Sequence, residues 1–197
     1  MVEMRSQFWY EPNSPGEYQA LGLVKAVWFP KGEKSTTGWL LCDQGCCQIE
    51  SSILGKETRE FMYSHPDISK TLNYFNVYPR TTEGQLTFQV KMLHNTNTSN
   101  WSSWLTELEA NIDRFRIRGT IRRVLNEALV IHVQQNVKPN KTPNFQFEVE
   151  LKGEVDGFSI GQFVEVFALR TFYALEIESV ELIEDVQDPS KAWARAR

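Results

Sequence analysis

The sequence predicts an all-β protein built as two small Greek-key β-barrels in tandem, with short helices. Three observations lead there. The halves of the chain echo each other: Gly22-Leu-Val24-Lys25-Ala-Val27 reads again as Gly119-Thr-Ile121-Arg122-Arg-Val124, and Val77-Tyr78-Pro-Arg80-Thr81 as Val166-Phe167-Ala-Leu-Arg170-Thr171 with one residue inserted. The matching blocks keep their order, as two diverged copies of one domain would. Each later block is followed by a leucine-led apolar strand, Leu86-Thr-Phe88-Gln-Val90 and Leu175-Glu-Ile177. Between the halves runs His94-Asn-Thr-Asn-Thr-Ser-Asn100, polar and free of apolar periodicity.

The domain plan that follows is an N-terminal arm at 1–18, a first barrel at 19–93, a linker with a short helix at 94–112, a second barrel at 113–185 and a tail at 186–197. A length of 197 residues allows two small domains, and half of it suffices to bury a barrel core. A hydrophobic content of 41% and a charged content of 23% place the chain among ordinary globular proteins rather than disordered ones.

In the arm, Pro12, Pro15 and Gly16 interrupt any regular pattern, and Phe8-Trp9-Tyr10 is expected to pack on the body or to hook a partner. Ala20 to Phe29 reads as a strand, and Pro30 to Lys34 as a turn. Thr37 to Asp43 and Cys46 to Ile53 are the next two strands. Glu57 to Met62 favours a short helix, broken near Pro66, with Ile68 and Leu72 at the spacing of a further helical turn. Asn73 to Pro79 and Gln85 to Leu93 are strands around the turn Thr82-Glu83-Gly84. Trp104, Leu105 and Leu108 then define a helix that packs on one barrel or bridges both.

In the second half, Arg114 to Leu125 and Ala128 to Gln134 are strands joined at Asn126-Glu127. Phe145, Phe147, Val149 and Leu151 alternate with Gln146, Glu148, Glu150 and Lys152, the mark of a strand with one buried face. Gln162 to Leu169 and Ala174 to Ile183 complete five strands. Gly22 and Gly119 stand early in the two first strands, where a glycine allows the bulge that lets a barrel strand curl.

A helix between the third and fourth of five strands is the arrangement of the OB-fold barrel. Gly161-Gln-Phe-Val-Glu-Val-Phe-Ala-Leu-Arg170-Thr171 with Glu176-Ile-Glu-Ser-Val-Glu-Leu, together with Asn144-Phe-Gln-Phe-Glu-Val-Glu-Leu, resembles OB-fold single-stranded DNA-binding proteins. The likeness covers mainly 114–185 and echoes in 20–93. It implies binding of single-stranded nucleic acid with little sequence preference. The chain departs from that family in holding two barrels, in its acidic total and in lacking an acidic, aromatic tail.

The net charge of −4 weighs against nucleic acid unless cations cluster locally. Arg114, Arg116, Arg118 and Arg122 share one strand parity, and Phe115, Ile117 and Ile121 the other. That row is either a phosphate track or a solvated face neutralised by Glu148, Glu150, Glu176 and Glu178. Aromatics interleave with cations, and stacked bases gain roughly 1–3 kcal/mol each on such rings. Arg116, Arg118, Arg122 and Arg170, with Lys25 and Arg80 in the first half, are the expected phosphate contacts. Trp28, Tyr78, Phe172 and Tyr173 are the expected stacking rings, and Trp39 is a further exposed candidate.

No enzyme is expected, since His65, His94 and His132 have no evident Ser or Cys partner and no carboxylate pair stands out. Cys42 and Cys46 have metal-ligand spacing but no second pair, so neither a metal nor any other cofactor is expected. The partner expected is single-stranded nucleic acid, DNA ahead of RNA. The alternative is a protein-interaction adaptor, which the acidic total favours. An odd set of cysteines, no signal pattern at the start and no run of about 18 apolar residues predict a reducing, cytoplasmic setting without a membrane.

Overall fold

The computed structural model describes residues 12, 16–94, 102–136, 143 and 145–184, with the side chains of 102–104 and 184 excepted. Phe8-Trp9-Tyr10, nearly all of the polar linker and the tail at 186–197 lie outside the described residues. Contacts divide the chain into two units, one holding Leu21–Pro79 and Leu86–Arg114, the other holding 16–20, Arg80–Gln85 and 115–184.

The first unit is built on β1 (Gln19–Pro30), β2 (Thr37–Cys42), β3 (Cys47–Ile53), β4 (Asn73–Thr82) and β5 (Gln85–His94). Closure rests on the length of β1. Its early residues, Gly22 to Ala26, pair antiparallel with β4, and its late residues, Val27 to Pro30, pair antiparallel with β2. One strand thereby joins both ends of the order β2-β3-β5-β4-β1 and leaves a closed five-stranded barrel. β3 runs parallel to β5 at Ser51 to Ile53, as the Greek-key path requires. Inside lie Val24, Leu40, Ile49, Phe75, Val77, Phe88 and Val90, all essentially inaccessible to water.

Between β3 and β4 comes α1 (Lys56–Ser64), then a 3-10 turn at Pro66–Lys70. Met62 and Ile68 are its buried residues, whereas Leu72 lies past the turn and is exposed, against the helical spacing expected of it. α2 (Ser102–Ala110) packs on this barrel: Leu108 is buried against Leu23 and Tyr74, with Leu105 and Ile112 beside it. Leu23 and Tyr74 leave the sheet on its outer side, so β1 is buried on both faces and reads as a nearly continuous apolar run.

The second unit repeats the plan with β6 (Arg114–Leu125), β7 (Ala128–Gln134), β8 (Gln146–Lys152), β9 (Phe163–Thr171) and β10 (Ala174–Glu184). The order β6-β7-β8-β10-β9 closes through β6 and β9. β8 meets β10 in parallel at Lys152 and Glu176. Among the described residues no helix stands between β8 and β9; a loop at 153–162 takes its place. The bulge of β6 falls between Ile121 and Arg123 rather than at Gly119. Gly119 answers to a close approach instead: a Cβ there would lie 2.6 Å from Ile131 Cγ2 and closer still to the His132 carbonyl oxygen. The protein is therefore all-β, two OB-like barrels with few short helices.

Candidate nucleic-acid interface

In an OB barrel the face of the second and third strands, flanked by the turns joining strands one to two and four to five, is the open one. In the second unit these are β7 and β8, the turn Asn126-Glu127 and the turn Phe172-Tyr173. Register fixes what shares that face. Thr120, His132 and Glu148 stand abreast across β6, β7 and β8, and Arg123, Val130 and Glu150 form the next row. Arg123 Nη2 reaches Glu148 Oε2 at 2.8 Å, and Lys152 Nζ reaches Glu150 Oε1 at 2.5 Å. Arg122 is exposed beside them. The His132 pKa is pushed down, first by burial and then by the Arg122 charge, with Glu148 opposing.

The β9–β10 turn is built differently. Phe172 adopts a left-handed backbone conformation with φ of 50°, which is unfavourable for a large L-side chain. Arg170, 5% exposed, donates from Nη1 to the Phe172 carbonyl at 2.9 Å and so holds the turn from within. The Phe172 and Tyr173 rings are 64% and 57% exposed. A positive φ is what a tight hairpin turn demands, and Glu83 in the β4–β5 turn of the first unit shows it too.

Other expected contacts are placed otherwise. Arg116 and Arg118 leave β6 away from Phe115 and Ile117, but that side is covered. Both are buried, Arg116 Nε lies 2.7 Å from Glu165 Oε1, and Arg118 Nε lies 3.3 Å from the same atom. Their guanidinium carbons sit 5.8 Å from the Phe167 ring and 6.0 Å from the Phe163 ring respectively. Tyr18 packs edge-on against Phe163 and shares a hydrogen bond with Thr120. Of the expected row, Arg116 and Arg118 are thus corrected to a buried ion triad whose carboxylate is Glu165 rather than any of the four glutamates expected, while Arg114 and Arg122 at its ends are exposed. Arg170 is likewise corrected from a phosphate contact to the brace of a turn.

Arg80 lies in the second unit with its guanidinium 4.5 Å from the Phe147 ring centroid and 6.0 Å from that of Phe145. Burial lowers its pKa. In the first unit Lys25 Nζ is 2.7 Å from Glu109 Oε1 of α2, and Glu109 also accepts from Tyr74 Oη. The Glu109 pKa is lowered by these two hydrogen bonds, and that of Lys25 is raised, first by Glu109. Trp28 is 4% exposed, inside the barrel, and offers no open ring. Tyr78 is half-buried, with Lys91 Nζ 5.6 Å from its ring.

The structure thus leaves Arg122, Phe172 and Tyr173 exposed and ties Lys25, Arg80, Arg116, Arg118 and Arg170 into the body. Sequence reasoning passed over Arg123 and Lys152 on the open face. Their register with the Glu148–Glu150 strand was the signal that could have found them. Among the described residues no group of three or more His, Cys, Asp or Glu is placed to hold a metal ion, and no helix is long and apolar enough to cross a membrane.

Residues 117–184, nearly the whole second barrel, match a family model described as a cyanobacterial OB-fold-like RNA-binding domain, C-terminal. No curated protein matches the chain. A deletion mutant of the single-stranded DNA binding protein from Thermus aquaticus is similar in structure at 10% identity, over 88% of this chain and 98% of that one, with a TM-score of 0.41. The chain resembles OB-fold nucleic-acid-binding proteins, and the family match falls on its second barrel.

Proposed function

We propose that the second barrel binds single-stranded nucleic acid with little sequence preference, as a binding domain rather than an enzyme. The observation that carries this reading is the β9–β10 turn. Two adjacent rings are held open to water on an internally braced turn beside the open barrel face. Stacking on such rings is tolerant of sequence because every base has a flat face. Arg122 is the first phosphate contact, and Arg123 and Lys152 join it by trading their carboxylate partners for phosphates. The Arg123–Glu148 pair is exposed on both sides, and such surface pairs are worth only about 0.2–1 kcal/mol, so that exchange costs little. The likeness of the second barrel to an OB-fold-like RNA-binding domain supports RNA as the strand to try first, with DNA in parallel. The two barrels act as separate domains on this reading, with α2 belonging to the first, and the setting is the cytoplasm.

A protein-interaction role draws on Glu176, Glu178 and Glu181, which are exposed along β10 and would repel a phosphate chain. The strand is therefore routed over β7 and β8 and away from β10. The test is fluorescence anisotropy of labelled RNA and DNA of roughly 16 nucleotides against the whole chain, across a salt series. Binding whose affinity falls steeply with salt supports the reading. Absence of binding to both strands at low salt overturns it and leaves the protein-interaction role.

A further inference from the structure

We infer that the end of the β2–β3 hairpin in the first barrel is a redox modification site, where Cys42 and Cys47 join in a reversible disulfide after Cys46 takes up the oxidant.

Strand register carries the inference. Cys42 is the last residue of β2 and Cys47 the first of β3, and the two face each other across the final rung of the hairpin. Residues directly opposite in an antiparallel pair have Cα atoms about 4.5 or 5.5 Å apart. A disulfide spans Cα separations of about 4.4–6.8 Å, so either kind of rung is bridged with the strands left in place. Partners on one rung also leave the sheet on the same side. Here that side is the barrel interior: Cys42 shares its parity with Leu40, and Cys47 with Ile49, and all four are essentially inaccessible to water. The two sulfurs therefore point into one apolar space.

Burial keeps a dissolved oxidant from this pair, and Cys46 supplies the way in. It is exposed, and all three cysteines are in the thiol form. Cys46 closes the turn Asp43–Gly45 by donating from its backbone N to the Asp43 carbonyl at 3.2 Å. Asp43, Gln44 and Gly45 hold φ of 50°, 57° and 91°. The first two carry side chains in the left-handed region, which L-residues disfavour. Loosening the turn relieves those conformations and brings Cys42 within reach of the Cys46 sulfur.

The oxidant is a low-molecular-weight disulfide. The Cys46 thiolate attacks one of its sulfurs, forms a mixed disulfide and releases one small thiol. The Cys42 thiolate attacks the Cys46 sulfur and releases the second small thiol. The Cys47 thiolate then attacks the Cys42 sulfur, and Cys46 leaves as a thiolate. Each step breaks one S–S bond and forms another. In sum, two protein thiols lose two electrons and two protons, one small disulfide is reduced to two thiols, and Cys46 is returned unchanged. In a reducing compartment such a bond is transient, formed when disulfides accumulate and undone when they are cleared. While it lasts it clasps the end of the hairpin and makes the first barrel harder to unfold.

The experiment treats the folded whole chain with an equimolar amount of glutathione disulfide, then labels the remaining thiols with iodoacetamide in denaturant and reads the intact mass. All three cysteines take the label before oxidation, and a single one is expected to take it afterwards. Cleavage on the amino side of aspartate parts Cys42 from Asp43. The two pieces should stay joined until reduced, with the label on Cys46. Pieces that separate, a label on Cys42 or Cys47, a lasting glutathione adduct or three labels on the treated chain overturn the inference. Cys46→Ser, at an exposed position, reads the relay: the same bridge should form roughly tenfold more slowly. An unchanged rate overturns the part given to Cys46. The oxidised wild type should melt above the reduced one and return to it with dithiothreitol, and melting at or below the reduced temperature overturns the clasp.

Discussion

Arg116 Nε lies 2.7 Å from Glu165 Oε1, and both side chains are about nine-tenths buried. Arg118 Nε lies 3.3 Å from the same oxygen, so Glu165 faces two guanidinium groups. Removing one partner of a buried pair leaves an uncompensated charge in a poor solvent for it, typically at a cost of about 3–5 kcal/mol. Glu165→Gln is expected to destabilise the chain by that amount in chemical denaturation.

Arg122 supplies the contrast. It is exposed, and Arg122→Ala should change stability by no more than about 0.5 kcal/mol. The same substitution should reduce the slope of log affinity against log salt by about 0.7, one phosphate contact on a single strand. Arg116→Met should leave that slope unchanged. A slope altered by Arg116 and untouched by Arg122 would reverse the assignment of the two residues.

Phe172 separates binding from stability. Glycine removes the left-handed penalty of about 1–2 kcal/mol and reintroduces about 0.5–1 kcal/mol of backbone entropy. Phe172→Gly should therefore melt at the wild-type temperature or slightly above it, while affinity for single strands falls roughly tenfold with the lost stacking. A ring that served only packing would show the reverse pattern in the same two measurements.

Gly119 is a matter of space. A methyl group there would press on Ile131 Cγ2 at 2.6 Å and on the His132 backbone, and backbone cannot yield as a flexible side chain does. Gly119→Ala should destabilise the second barrel by about 1–3 kcal/mol, the usual range for overpacking, as read by thermal melting.

Two histidines set a pH dependence. Burial lowers the pKa of His94, and burial followed by the Arg122 charge lowers that of His132, both from an ordinary 6.5. Below pH 6.5 the unfolded chain then binds more protons than the folded one. Stability should fall as the pH drops through 6.5 and level off once both folded-state histidines are charged. Melting curves between about pH 8 and pH 5 check this, above the range where carboxylates titrate. The His94→Gln/His132→Gln variant should give a flatter profile.

Fold and site were legible to different depths. The alternation in 145–152 and the glycine-bearing turn at Glu83-Gly84 are local signals, and each appears as an element where it was expected. The Phe172-Tyr173 tip was legible as well, because a turn between two apolar strands has few ways to hide its rings. Trp28 and Phe29 show a parity that could have been read and was not: Val24, Ala26 and Trp28 point into the barrel, which leaves Phe29 outside.

By itself the sequence determined where most of the strands and turns fall along the chain, since periodicity and turn chemistry act over a few residues. Only tertiary structure decided which outward-facing side chains stay open to solvent. Lys25 and Arg116 both face outward by parity, yet Glu109 of α2 takes the first and Glu165 of β9 the second. A strand's pattern tells which side a residue leaves by, and not what the rest of the chain lays over that side.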